Sequence, residues 1–236
     1  MSLKSNVIKV DEITYQNKLR MFNIMEKVYY GTTFEKFTKD LANKNNVLML
    51  YDNNNLIQGF TTIQIYDEKF EGKPVKILYS GDTVINKEAR GDIELMRAWW
   101  RFSFDIQQKY KTCDVYWFLI SKGWRTYKFF PLFLKEFYPS INKTTPKNIQ
   151  NFMDKISQDK FGNLYRNGII YPKNPDYLKS GLNDIPEHKK NDKDVIFFLE
   201  KNPEYYKGNE LVCLAKLHPD NLTKAGLRLL HGVRNE

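Results

Sequence analysis

The stretch Asp82-Thr83-Val84-Ile85-Asn86-Lys87-Glu88-Ala89-Arg90-Gly91 gathers the residue types needed to hold an anion close to a carboxylate. Lys87 and Arg90 supply cations, and Gly91 allows backbone conformations that bring amides against a ligand. If a helix begins just beyond Gly91, its first N–H groups are unpaired and carry the positive end of the helix dipole, so a diphosphate would satisfy both. Asp92 stands at the same helix start, either as a plain N-cap or beside a phosphate site. Upstream, Asp82 reads as a strand carboxylate that can accept a proton as general base, or that caps a local turn with Thr83.

A second cluster, Ser121-Lys122-Gly123-Trp124-Arg125-Thr126-Tyr127-Lys128, follows the end of a strand. Ligands gather at strand ends in open α/β sheets, so this cluster and the Lys87/Arg90 turn can line one anionic cleft. The same residues suit single-stranded nucleic acid, with Trp124 and Tyr127 as stacking platforms and Lys122, Arg125 and Lys128 for phosphates. Solvation of a helix start is the third use. No metal site is expected, because His188, His218 and His231 are far apart and Cys113 and Cys213 form no Cys-x-x-Cys pair. Gly-x-Ser-x-Gly and Gly-Lys-Ser/Thr loops are also absent from the sequence.

The elements that must position these groups follow from changes in hydrophobic period. Asn6–Val10 reads as a strand, Ile13–Tyr30 as an amphipathic helix, and Thr33 as the N-cap of a helix running to Leu41. Asn46–Tyr51 and Leu56–Tyr66 read as a hairpin around Asp52-Asn53-Asn54-Asn55, with Gly59 allowing a bulge or close backbone approach. Val75–Ile85 is the next strand, and it leads into a long helix from Asp92 to about Tyr110 whose Trp99 and Trp100 read as core. Strict alternation puts Ser80 and Asp82 on one face and Tyr79, Gly81 and Thr83 on the other, so Asp82 joins Tyr79 only if Gly81 introduces a bulge. Asp114–Ser121 reads as a buried strand, and Trp124–Tyr138 as a helix that Pro131 must kink or start. Farther on, a helix is expected at Pro146–Gln158, a charged loop at Glu187–Asp194, and strands at Val195–Leu199 and Leu211–Leu217.

The resulting order over residues 6–140, β-α-α-β-β-β-α-β-α, resembles the GNAT superfamily of acyl-CoA-dependent N-acyltransferases. Its most specific piece is the run Asp82 to Gly91, which is similar to the family's fourth strand, its V-x-P-x-x-R-G turn and the start of its pyrophosphate-binding helix. The resemblance implies a mixed, mostly antiparallel α/β sheet flanked by helices, with its core over 1–140; residues 141–236, of looser Asn-, Lys- and Pro-rich texture, read as a C-terminal extension packed on that core. It implies that acetyl-CoA or another acyl-CoA lies along the edge of Thr83, Val84 and Ile85, with its pyrophosphate near Lys87, Arg90, Gly91 and Asp92, and Ser121 at the facing strand end. It implies a small-molecule or peptide amine as acceptor and a base for that amine, for which Asp82 qualifies by position. The tyrosine acid of the family would fall at Phe133, which has no hydroxyl, and Tyr127 is the substitute on the same stretch. The family's Arg-Gly-x-Gly-x-Gly/Ala run reads Arg90-Gly91-Asp92-Ile93-Glu94-Leu95 here, so Ile93 and Leu95 stand where small residues are usual. A non-enzymatic binding module with a decayed cofactor site is the alternative implied by that departure.

Composition bounds these readings. The chain has 236 residues, 42% of them hydrophobic and 15% aromatic, enough to bury a sizeable core. No apolar run approaches the roughly 20 residues that cross a bilayer, which argues against membrane insertion. The opening Met1-Ser2-Leu3-Lys4 lacks an apolar signal segment, and with two cysteines the expected setting is the reducing cytoplasm. A net charge of +9 is compatible with nucleic acid or a phosphorylated ligand, although the lysines are spread along the chain.

Overall fold

The computed structural model describes residues 3–182 and 184–234, with side chains through residue 230. Met1, Ser2 and the side chain of His231 lie outside the described residues. β1 (Lys4–Lys9) leads through a tight 3-10 turn into α1 (Tyr15–Val28), whose cap Thr14 accepts from the Asn17 amide. After the short β2 (Tyr29–Tyr30), Thr33 caps α2 (Phe34–Leu41) by accepting from the Lys36 N–H, as its sequence predicts. β3 (Asn46–Tyr51) turns through Asp52, whose carboxylate accepts from the Asn54 and Leu56 amides, into β4 (Ile57–Phe70). β5 (Lys73–Ile85), a 3-10 turn at Lys87–Ala89, α3 (Glu94–Lys109) and β6 (Asp114–Ser121) follow.

Beyond β6 the sequence reading needs correction in two places. The single helix expected over Trp124–Tyr138 is two short ones, α4 (Trp124–Tyr127) and α5 (Phe129–Phe133), after which Leu134 is extended. The strand expected at Val195–Leu199 is a helix. After α6 (Lys147–Phe161), β7 (Tyr165–Arg166), β8 (Ile169–Ile170) and β9 (Tyr177–Leu178) comes α7 (Lys193–Lys201). Asp192 starts α7 by accepting from the Asp194 and Val195 amides, so a cap at the edge of an expected charged loop overrides the strand preference of Val195 and Ile196. β10 (Glu210–Lys216) and α8 (Lys224–Arg234) complete the chain.

Eight strands form one sheet in the order β1-β3-β4-β5-β6-β10-β8-β7, and β2 pairs separately with β9. Every pairing is antiparallel except β5 with β6. One sheet face packs Leu48, Leu78, Trp117 and Leu119 under α3, α5, α7 and α8. The other packs Met49, Phe60 and Val84 under α1 and α2, and Ile77, Tyr79 and Phe118 under α6. The C-terminal segment is built into this sheet, since β10 pairs with β6 over Leu211–Lys216. Among the described residues, no helix is long and apolar enough to cross a membrane.

Candidate active site

The site begins where β5 and β6 part. Their parallel pairing runs from Val75 opposite Asp114 to Ser80 opposite Leu119 and then stops. β6 continues to Ser121 against β10, while β5 continues to Ile85 against β4, so among the described residues the edge from Gly81 onward has no partner strand on its β6 side. At the same point β5 carries an extra residue: Thr83 pairs with Thr61 and Ser80 with Ile63, leaving Gly81 and Asp82 opposite Thr62 alone.

This bulge inverts the side-chain parity of the strand. Before it, Ile77 and Tyr79 pack on the α6 face; after it, Val84 packs on that same side beneath α1 and α2, although strict alternation would send it to the other. Asp82 is therefore brought to the same cavity as Tyr79, the outcome that alternation alone would forbid. Position 81 is crowded for anything larger than glycine: a Cβ there would sit 2.5 Å from Thr62 Oγ1 and 2.8 Å from Lys44 Cε, so those side chains would have to move.

The cavity, about 220 Å³ in volume, is lined on its apolar side by Met25, Tyr29, Phe37, Tyr79 and Phe161. Asp40, Asp82, Asp176 and Glu210 line it together with Lys36 and Lys122, so carboxylates outnumber amines in a chain that is basic as a whole. Burial, and then the facing Asp40, push the Asp82 carboxyl up to about 6 against the opposing pull of Lys122 and Lys44. Burial likewise raises Glu210, opposed by Lys122, which lies 3.4 Å away. Burial acts to lower the Lys122 pKa, but Glu210, Tyr29, Asp82 and Asp176 outweigh it and hold the ammonium charged. Lys160 stands 4.4 Å from the Tyr79 ring centre, and burial together with Lys44 brings it down to about 8.

The other side of the opening faces α3. There Ser80, Thr83, Leu95, Met96, Trp99, Leu119 and Phe129 leave only a narrow slot of about 30 Å³. The turn above it is anchored by buried Asn86, which donates to Gln58 Oε1 at 2.8 Å while Gln58 donates to Asp52 at 2.7 Å. Gly91 adopts φ +95° with open space around it. The amides of Ala89, Arg90 and Asp92 are used inside the turn, on the carbonyls of Asn86, Lys87 and Ala89. Asp92, one residue before the N-cap Ile93, accepts from the Glu94 N–H at 2.7 Å, and no side chain caps α3 from the N-cap position itself. Across the opening, the Arg125 guanidinium donates to the carbonyls of Leu182 and Asp184, and burial with the charge of Arg90 lowers its pKa.

A parallel strand pair that opens midway, bulged on one strand and followed by a turn into a helix, within an otherwise antiparallel sheet, decides the topology. The fold is GNAT-like. No family model matches the sequence, and no curated protein matches it. Solved structures do match parts of it. A probable N-acyltransferase from Enterococcus faecalis is 14% identical over 57% of this chain and 33% of its own, with a TM-score of 0.43. A GNAT family N-acetyltransferase from Escherichia coli, in complex with CoA, is 8% identical over 52% of this chain and 65% of its own, at 0.38. Glucosamine-6-phosphate N-acetyltransferase from Arabidopsis thaliana is 14% identical over 50% and 82%, at 0.36. This chain thus spans only a third of the length of the Enterococcus protein.

Within this GNAT-like frame, Asp82 and Thr83 lie at the opening, Val84 is core, and Ile85 packs beside Gly59. Thr83 shares a hydrogen bond with Thr61 at 2.8 Å, and Ser121 is buried with its hydroxyl donating to the Gly123 carbonyl. Lys87, Arg90 and Gly91 are exposed on the turn, and Ile93 faces solvent while Leu95 lines the slot. Tyr127 is not brought to the cleft: it is fully buried among Phe137, Phe197 and Phe198, and its hydroxyl donates to the Pro139 carbonyl. The basic, aromatic run is likewise taken apart, because Trp124 and Tyr127 are core and Lys128 is paired with Asp192 and Asp194. Neither ring is available as a stacking platform.

Sequence reasoning missed Lys36, Asp40, Asp176 and Glu210. Lys36, Asp40 and Lys44 repeat every four residues, a helical charge stripe that was there to be read. Asp176 and Glu210 gave no such signal, since they arrive from the C-terminal segment through the β2–β9 and β6–β10 pairings.

Proposed function

We propose that this chain transfers an acyl group from acyl-CoA, or a related phosphopantetheine thioester, to a primary amine bound beside Asp82. The observation carrying this reading is the Gly81–Asp82 bulge, which sets a carboxylate of raised pKa at the mouth of an unpaired strand edge. Such an edge offers backbone groups to the amides of a pantetheine arm. The exposed Lys87 and Arg90 on the turn after β5 suit its diphosphate. The amine nitrogen bonds to the acyl carbon and the C–S bond breaks. Asp82 takes one proton from the bound ammonium to free the attacking amine, and the second nitrogen proton goes to the departing sulfur or to solvent as the C–S bond breaks, a thiolate being a good enough leaving group to depart without a dedicated acid.

A second reading rests on the α3 side. A slot of about 30 Å³ and a helix start whose first N–H is taken by the Asp92 carboxylate fit a module that binds an amine ligand but no thioester. Calorimetry with acetyl-CoA separates the two. Saturable binding that Arg90→Glu removes supports the transferase. Absence of binding at high micromolar ligand, with the protein folded, leaves only the binding module.

A further inference from the structure

The charges of the cavity identify the class of acceptor, an inference that rests on its being the acceptor site. Lys36 is committed to Asp176 at 2.5 Å and to the Asn174 carbonyl, and Lys44 to Asp40 at 2.6 Å. Lys122 lies among Glu210, Asp82 and Asp176. Asp82 alone of the lining carboxylates has no ion pair among the described residues, and Asp40 is its strongest electrostatic opponent. An ammonium placed between Asp82 and Asp40 relieves that repulsion. Lys160 lies against the Tyr79 ring and donates to Gln64 rather than lining the space, so a carboxylate or phosphate on the same ligand would meet the compensated Lys36 and Lys122 and an acidic wall.

Size and shape narrow the class further. The loop from Pro172 to Asp176 lies over the cavity and is held in close contact: a Cβ on Gly31 would sit 2.7 Å from the Pro175 carbonyl oxygen, and one on Gly208 2.6 Å from Pro175 Cβ. The β2–β9 pairing and the Lys36–Asp176 bridge fix this loop to α2. The space left, about 220 Å³ between aromatic rings, suits a small free molecule better than a chain segment. Thr32 Oγ1, buried at this cavity without a partner among the described residues, offers a hydrogen-bond acceptor to an incoming N–H. We propose that the acceptor is a compact primary amine with an apolar or aromatic body and no anionic group.

A matched set of probes tests this by calorimetry at neutral pH: phenethylamine, phenylalanine, which adds only a carboxylate, and phenethyl alcohol, which lacks the charge. Phenethylamine should bind, with phenylalanine and the alcohol each at least about tenfold weaker. Asp40→Asn should weaken phenethylamine about threefold or more while the variant remains folded by circular dichroism. Phenylalanine binding as tightly as phenethylamine overturns the proposal, as does no binding of either to folded protein. Acetyl-CoA is titrated separately. Acetyl-CoA bound with phenethylamine rejected overturns the acceptor class alone, whereas phenethylamine bound with acetyl-CoA rejected supports the acceptor class and removes the transfer reaction.

Discussion

The two sides of the opening between β5 and β6 are built from the same strand ends and differ in nearly everything else. Toward α1 and α2 lies a charged cavity of about 220 Å³, and toward α3 an apolar slot of about 30 Å³. Strand divergence creates both, but the bulge decides which side receives the carboxylate, because one extra residue returns Asp82 to the face of Tyr79 and sends Thr83 to the slot. The side chains of α3 then decide the width: Leu95, Met96 and Trp99 fill space that smaller residues would leave open. An opening in a sheet is therefore a backbone property, while its chemistry belongs to parity and to the helices laid over it.

Substitutions can break this contrast or sharpen it. The largest effect is expected from Asp82→Asn, which should reduce acyl transfer by about 10²–10⁴-fold through loss of the base. The same change should raise the melting temperature at neutral pH. The folded carboxyl sits at about 6, above its ordinary value, so the stability it contributes is present at low pH and is lost as pH rises through 6. The thermal gain should vanish below about pH 4, where the carboxyl is protonated folded and unfolded; a variant less stable at neutral pH would contradict this account.

Gly81→Ala should cost about 1–3 kcal/mol in denaturant unfolding and reduce transfer, because the new methyl drives against Thr62 and Lys44. Unchanged stability would mean that the bulge is not as tight as described. The transfer rate of the unmodified protein should climb with pH through about 6 as Asp82 ionises, facing Asp40 and Glu210 on one account and Lys122 and Lys44 on the other. Lys122→Gln removes a charge that lowers this pKa, so the inflection should move to higher pH. A shift to lower pH would show that Lys122 does not act on Asp82. The smallest effect concerns the slot side. Asp92→Asn should weaken the α3 start by about 0.3–1 kcal/mol, and by removing a negative charge it should raise acetyl-CoA affinity a few-fold, with amine binding unchanged.

Much of the sheet was legible in advance. Asn46–Tyr51 and Asp114–Ser121 are bounded as their composition predicts, and Thr33 caps α2 through its own hydroxyl. These features rest on neighbours in sequence, such as a turn signal, an apolar run or a capping side chain. Val195–Leu199 misled because a short apolar run has no period of its own, and the cap that settled it, Asp192, lay inside what read as a loop. The aromatic run at Trp124–Tyr127 misled for another reason: exposure depends on what lies above a helix, and here α7 supplies Phe197 and Phe198.

By itself the sequence determined the longer strands, the Thr33 cap, the glycine at position 81 and the carboxylate beside it, since each is fixed by local backbone and side-chain chemistry. Tertiary structure alone decided that the glycine is a bulge, that Asp82 shares a cavity with Tyr79, and that Asp176 and Glu210 make that cavity acidic. Those outcomes require strands and helices far apart in the chain to meet, and no local pattern encodes which distant charges will share a low-dielectric space.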